Sequence, residues 1–179
     1  MIRFRIATYN VHKCKGVDWR LSPARIADVL CELNADIVAG QEILYSQAEA
    51  ISARIKVPFT FGAARMHGGE PYGNAVFTRL PVISSENYDL TARRREPRQS
   101  LRVSLALSGG ALVHFFAVHL GTSFLERREQ APRFLSEAIL DRCDVRGARI
   151  VAETSTNGRA DSRRKCSAAI FRAPISRCT

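Results

Sequence analysis

The chain has 179 residues, with 27 Lys plus Arg against 17 Asp plus Glu, a formal net charge of +10 and 46% hydrophobic residues. This hydrophobic fraction excludes a disordered chain of low hydrophobicity, and no apolar run approaches the roughly 18 residues that a membrane span requires. We therefore expect one globular domain. The first residues, MIRFRIATYN, lack the apolar stretch of a secretory signal, which favours a cytoplasmic location.

The cysteines and the net charge say little about function by themselves. Five cysteines without a C-x-x-C pair fit neither a disulfide framework nor a zinc module, so we expect ordinary thiols. A charge of +10 suits a partner that carries phosphates, because Lys and Arg displace counterions from a polyanion. Composition alone makes this a weak indication.

The first part of the chain alternates strands with helices. Residues 2–7 alternate basic and apolar side chains, which is typical of a strand with one exposed face. Ser22 and Pro23 predict a helix N-terminus, because Ser can cap free amides and Pro has no N–H to leave unpaired. The apolar stripe of that helix is Ile26, Val29, Leu30 and Leu33. The elements predicted next are a strand at 36–39, a helix at 46–55 and a strand at 58–61.

The second part of the chain is richer in strands. The apolar pattern predicts strands at 74–77, 101–107 and 111–120, and Gly109-Gly110 predicts a hairpin turn between the last two. Residues 126–140 predict a helix that Pro132 kinks or restarts. This order of elements indicates an α/β protein with a mixed sheet.

Polar residues occupy the predicted strand ends, where the side chains of an α/β sheet face one crevice. The first such residues are Asn10 and Glu42, whose oxygens are hard donors that suit Mg²⁺. Alternatively, Asn10 is a turn residue and Glu42 a solvated strand-end carboxylate. His119 is either a site residue or a histidine bonded to a backbone carbonyl, and the second interpretation is also expected for the other histidines, His12, His67 and His114.

The ordered motifs TYNVH, ADIVAGQE, YGNAVFTR, LRVSLAL, AVHLG and ERREQ resemble those of the endonuclease/exonuclease/phosphatase superfamily, the metal-dependent phosphoesterases related to deoxyribonuclease I. The resemblance covers residues 3 to about 151. It implies a four-layer α/β sandwich, in which two mixed β-sheets are flanked by helices, with the last strands missing or altered.

The resemblance also implies roles for individual residues. Asn10 and Glu42 would bind a catalytic Mg²⁺ or Mn²⁺, and His119 would hold a phosphate oxygen. Metal and imidazole would then neutralise charge on the phosphoryl group while water attacks in line. The weaker candidates for the phosphate-facing or supporting shell are Tyr72, Asn74 and Arg102.

Two motifs of the superfamily are not found in the sequence: a Gly-Asp-Phe-Asn segment expected after about residue 151, and a final Asp-His pair. Back-translation of residues 152–158 permits the bases GGAGACTTCAAC, which encode Gly-Asp-Phe-Asn in another frame. We therefore expect an incomplete domain at 1–152 and a basic, disordered, out-of-frame tail at 153–179. The gene's nucleotide sequence tests this hypothesis.

The leading functional hypothesis is a Mg²⁺-dependent hydrolase of phosphodiester bonds, with weak or absent activity because the two motifs are missing. Its substrate is DNA, RNA, or a lipid or sugar phosphate. The alternatives are a non-catalytic protein that binds a phosphate polymer such as nucleic acid, and an inactive truncated product. The basic cluster at Arg93, Arg94, Arg95 and Arg98 supports binding, although it also fits a solvated loop. We expect a monomer and predict no protein partner.

Overall fold

The computed structural model describes residues 2–93, 95–136, 138–140 and 146–153, and the backbone of 166–173. The helices are α1 (Pro23–Leu33), α2 (Tyr45–Ile55) and α3 (Phe124–Leu135). The strands are β1 (Ile2–Asn10), β2 (Ile37–Leu44), β3 (Phe59–His67), β4 (Glu70–Thr78), β5 (Val82–Asp89), β6 (Gln99–Ala106), β7 (Leu112–His119), β8 (Ala148–Glu153) and β9 (Cys166–Ala173).

The described strands form two mixed sheets. The first has the order β3-β4-β2-β1-β9 and the second the order β5-β6-β7-β8. The pairs β1–β2 and β7–β8 are parallel, and the other neighbouring pairs are antiparallel. The prediction of an α/β fold with two mixed sheets and helices is confirmed.

Three groups of buried apolar side chains separate four layers. The largest fills the space between the two sheets and includes Phe4, Ile37 and Phe115. A second group joins α1 and α2 to the outer face of the first sheet, and a third joins α3 to the outer face of the second. Burial of apolar surface on both faces of each sheet is the main stabilising contribution.

Local sequence signals explain several elements. Ser22 Oγ accepts a hydrogen bond from the backbone N–H of Arg25 at 3.3 Å, and Pro23 opens α1, as predicted. Gly109 and Gly110 adopt φ of 79° and 78° between β6 and β7, which form the predicted hairpin.

Other elements differ from the sequence predictions. Strand β5 has no predicted counterpart, because its mostly exposed polar residues hide the pattern of an edge strand. The predicted helix at 126–140 is shorter and begins earlier: α3 continues through Pro132 and ends at Leu135. A proline three residues before the end removes only one hydrogen bond of the last turns, so the helix tolerates it.

Part of the predicted disordered tail is a strand. The backbone of β9 pairs antiparallel with β1, from Ile2 opposite Ala173 to Tyr9 opposite Cys166. The sequence predicted disorder for this segment, but an apolar segment can pair with the otherwise unpaired backbone of β1. The remainder of the tail beyond Glu153 and the frameshift hypothesis lie outside the described residues. Within the described chain, no helix has both the length and the apolar character to cross a membrane.

Candidate functional site

The site lies where β1 and β2 end side by side. These strands are parallel, and Tyr9 pairs with Gly40 and Asn10 with Gln41. The pairing of β2 with β4 shifts between Gly40 and Ile43, and within this bulge Glu42 has a φ of 55°. A left-handed conformation is costly for a residue with a side chain, and a bulge redirects side chains. The strained bulge therefore sets the orientation of the Glu42 carboxylate.

Three side chains surround the Glu42 carboxylate. Asn10 Nδ2 donates to Glu42 Oε1 at 2.9 Å, and His12 Nδ1 lies 2.8 Å from Oε2. His119 Nε2, from the end of β7 in the second sheet, lies 3.4 Å from Oε1. The structure thus brings together the three residues that the resemblance assigned to catalysis, Asn10, Glu42 and His119.

The environment keeps Glu42 ionised. Burial alone would raise the pKa of this carboxyl, but interactions with His119, Asn10 and His12 hold it well below its ordinary range. Nearby Tyr72 is also affected, because burial and then the negative charge of Glu42 raise the pKa of its hydroxyl. The site therefore holds a fixed negative charge at neutral pH, with Tyr72 as a neutral neighbour.

His119 has unused hydrogen-bonding capacity. Its side chain is 9% exposed. Among the residues that the structure describes, none is a hydrogen-bond partner of its buried Nδ1, and the Nε2 contact with Glu42 is long for a hydrogen bond. Buried polar groups are normally paired, so the imidazole of His119 is unusual in this part of the structure.

Asn74 lies buried between the two sheets. It is 1% exposed, and its Nδ2 donates to the carbonyl oxygen of Ala117 in the second sheet at 3.0 Å. Two further amide side chains connect the sheets nearby: Gln99 donates to the Gly62 carbonyl, and Asn87 to the Ala63 carbonyl. Asn74 therefore joins the two sheets next to the site.

Arg102 lies on the outer face of the second sheet, which faces away from the first sheet. Its neighbours Leu101 and Val103 belong to the core between the sheets, whereas its cross-strand partner Phe116 packs under α3. Arg102 Nη2 donates to Glu86 Oε2 at 2.8 Å. The structure does not bring Arg102 to the Glu42 carboxylate.

His12, for which the sequence indicated a structural role, also lies at the site. Its side chain is 54% exposed and contacts Glu42 directly. Its position two residues after Asn10, at the same strand end, was the available signal. A cavity of about 250 Å³ opens beside Asn10 and His12, between the segment after β1 and α1. The interpretation of His114 as a structural histidine agrees with its buried contacts to Ser104 Oγ and the Arg146 carbonyl.

The donors of the site fit a hard divalent cation in part. Mg²⁺ is commonly held by one or two carboxylates, with waters and substrate phosphates completing its shell, and Glu42 supplies one ionised carboxylate. Asn10 Oδ1 accepts the backbone N–H of His12 at 3.0 Å, so in this arrangement its amide orients the loop and Glu42. Among the described residues, no group of three or more His, Cys, Asp or Glu forms a metal site.

The fold and site define a four-layer α/β sandwich with a polar site where its two sheets meet. The model of the Endonuclease/Exonuclease/phosphatase family matches residues 7–157, and the chain belongs to this family.

The chain is also similar to a curated protein. "Uncharacterized protein YbhP" of Escherichia coli K12 is 27% identical over 145 residues, covering 71% of this chain and 57% of YbhP. The chain thus spans little more than half the length of this curated relative.

Solved structures share the fold. A family protein from Bacteroides thetaiotaomicron has a TM-score of 0.72 at 17% identity, covering 86% of this chain and 63% of its own. A mannosyl-6-phosphatase from the same species has a TM-score of 0.68 at 17% identity, with coverages of 84% and 64%. D. rerio TDP2, complexed with a single-strand DNA product, has a TM-score of 0.69 at 19% identity, with coverages of 90% and 64%.

Proposed function

We propose that this protein is a Mg²⁺-dependent phosphoesterase that hydrolyses phosphodiester bonds. The observation that carries the proposal is the ionised Glu42 carboxylate, held by Asn10 and His12 and facing His119 across the gap between the sheets. A fixed carboxylate can hold a hard cation, and an imidazole with an unpaired nitrogen can donate to a phosphate oxygen.

Each residue has a distinct part in this proposal. Glu42 would hold the cation, which would supply Lewis-acid stabilisation of the phosphoryl group when bound. Asn10 keeps the carboxylate in place through its 2.9 Å hydrogen bond. His119 would donate to a non-bridging phosphate oxygen, where negative charge increases as the bond to the leaving group breaks. Tyr72 would support the phosphate from the β4 side.

We also propose that the 179-residue chain by itself turns over slowly. The sequence does not contain the Gly-Asp-Phe-Asn segment that the resemblance leads us to expect after about residue 151. Without a group that positions and deprotonates the attacking water, the rate typically falls by about 10²–10⁴-fold. Cation binding by Glu42 is expected to persist.

The test combines cation binding with hydrolysis. Mn²⁺ binding is followed by its electron paramagnetic resonance signal, and hydrolysis with bis(p-nitrophenyl) phosphate in Mg²⁺ with and without EDTA. Glu42→Ala should abolish both signals. Glu32→Ala, which removes an exposed carboxylate on α1, should change neither. His119→Asn should retain Mn²⁺ binding and slow hydrolysis by about 10²-fold or more. Mn²⁺ binding that survives Glu42→Ala would contradict the proposal.

The alternative function is binding of a phosphate polymer without hydrolysis. Arg93 and Arg95 are exposed, but Arg98 lies 3.1 Å from Glu96, which reduces the charge that this segment presents. Arg94 lies outside the described residues. DNA binding that weakens steeply with salt and leaves the DNA uncut in Mg²⁺ would support this alternative.

A further inference from the structure

The segment after β1 projects into solvent beside the site. Residues 15–21 are all exposed. An antiparallel bridge between Lys15 and Leu21 closes the segment, and the Gly16 N–H bonds the Arg20 carbonyl at 3.0 Å, so we call it the 15–21 hairpin. Val17, Trp19 and Leu21 are 80%, 77% and 62% exposed. Three large apolar side chains on one short protruding hairpin suggest a binding role rather than a packing role.

A second exposed apolar pair follows the strand that carries His119. Phe124 and Leu125 open α3 and are 76% and 65% exposed. They follow closely after His119, whose ring reaches Glu42 near the start of the 15–21 hairpin. The ends of β1 and β7 therefore carry exposed apolar residues on both sides of the site. This set, called the apolar rim below, comprises Val17, Trp19, Leu21, Phe124 and Leu125.

The 15–21 hairpin also carries positive charge. Lys15 and Arg20 alternate with its apolar residues, and Lys13 precedes it. Its single acidic residue, Asp18, is neutralised by Arg25 at 2.8 Å. The Lys15 ammonium lies 4.4 Å from the centre of the Trp19 ring. Exposed Lys and Arg beside Trp and aliphatic residues match the interface of an anionic bilayer, where the cations are attracted to the lipid headgroups and Trp favours the boundary with water.

We propose that the apolar rim docks on an anionic lipid bilayer. This proposal deepens, and rests on, the proposed phosphoesterase function, because docking would present the site to a phosphate ester carried by a lipid headgroup. Single-stranded nucleic acid is the competing partner, since its bases stack on aromatic rings. However, three of the five rim residues are aliphatic and gain little from bases, whereas all five gain from leaving water for lipid.

The chain offers a direct probe of docking, because Trp19 is its only tryptophan. Wild-type protein is titrated with vesicles of phosphatidylcholine containing phosphatidylglycerol, and with vesicles of phosphatidylcholine alone. With the anionic vesicles we expect a blue shift of Trp19 emission and protection from iodide quenching. Emission that responds to oligo(dT) but not to anionic vesicles would overturn the proposal, as would emission that responds to neither.

Two variants distinguish docking through the apolar rim from nonspecific adsorption to vesicles. The double variant Val17→Ser, Leu21→Ser should lower vesicle partitioning by at least about tenfold, because two exposed aliphatic side chains no longer enter the lipid. Ile83→Ser is the matched control. Ile83 is 58% exposed on β5, at the end of the second sheet that is far from His119. Its replacement by Ser should leave vesicle partitioning unchanged. Equal loss in both variants would contradict docking through the rim.

A further variant separates docking from catalysis. Glu42→Ala should bind anionic vesicles as tightly as the wild type. Vesicle binding without cation binding or hydrolysis in the wild type would leave the docking surface in place and refute the proposed function. Hydrolysis of the soluble diester without vesicle binding would support the proposed function and refute docking.

Discussion

Asn74 provides a sharp test of how the site is supported, because its side-chain amide joins the two sheets beside the site. Asn74 is a candidate for the phosphate-facing or supporting shell, and its side-chain amide donates to the Ala117 carbonyl across the sheets at 3.0 Å. Asn74→Ala removes this donor at a position only 1% exposed. We therefore expect Asn74→Ala to lower the free energy of unfolding more clearly than the rate of hydrolysis.

The magnitude follows from the burial of both partners. Loss of a hydrogen bond that leaves a buried acceptor unsatisfied costs about 1–3 kcal/mol. For a domain of this size, each kcal/mol corresponds to a shift of about 2–4 °C in Tm, so Asn74→Ala should lower Tm by about 2–12 °C. Asn87→Ala is the matched control, because Asn87 also donates across the sheets but from an exposed position. Its loss should cost less than about 1 kcal/mol.

A charged variant adds a dependence on pH. Asn74→Asp places a carboxyl against the Ala117 carbonyl, and burial should raise the pKa of that carboxyl above its unfolded value. A raised folded pKa contributes stability at low pH that is lost as pH rises through it. The deficit in Tm of Asn74→Asp relative to wild type should therefore be largest at pH 7 and shrink toward pH 4.

Thermal unfolding by circular dichroism and hydrolysis of the soluble diester are measured on the same preparations. A Tm for Asn74→Ala within about 1 °C of wild type would refute the reasoning, because the cross-sheet hydrogen bond would then contribute little. If such a variant also lost hydrolysis, Asn74 would act on the site itself rather than through the stability of the fold.

Two further predictions concern residues near the site. Gly73→Ala should destabilise by more than about 3 kcal/mol in chemical denaturation, because its Cβ would overlap the Gly62 carbonyl and the Gln99 amide; Gly69→Ala, whose Cβ meets nothing within 4 Å, should cost about 1 kcal/mol. Burial raises the pKa of the Cys14 thiol to about 12, so at pH 8.5 a thiol reagent should label exposed Cys31 and spare Cys14. The stability that neutral Cys14 contributes is present below pH 9 and lost as pH rises toward 12, and Cys14→Ala should remove this loss. Equal labelling of the two cysteines in folded protein would contradict the prediction.

The sequence predicted the elements whose signals are local. Ser22 with Pro23 marks a helix start by its chemistry alone, and two glycines mark a hairpin because both adopt positive φ. The convergence of Asn10, Glu42 and His119 followed from the general position of strand ends and from the resemblance. These predictions required no knowledge of how side chains pack across the sheets.

The remaining features depend on tertiary geometry. The orientation of Glu42 comes from a bulge with a φ of 55°, which no residue type at that position indicates. Arg102 is separated from the site because it lies on the outer face of β6. Leu101 and Val103, on either side of it in the chain, face the core between the sheets. For His12, the bias toward structural histidines outweighed its favourable position.

The geometry of the site depends on how the two sheets pack against each other. Glu42 belongs to the first sheet and His119 to the second, and 3.4 Å separates their facing atoms. The amides of Asn74, Gln99 and Asn87 join the same two sheets close by. A relative displacement of about 1 Å between catalytic groups can cost about 10²-fold in rate. Changes to these three amides should therefore slow hydrolysis even in molecules that remain folded, although none of them belongs to the proposed catalytic set.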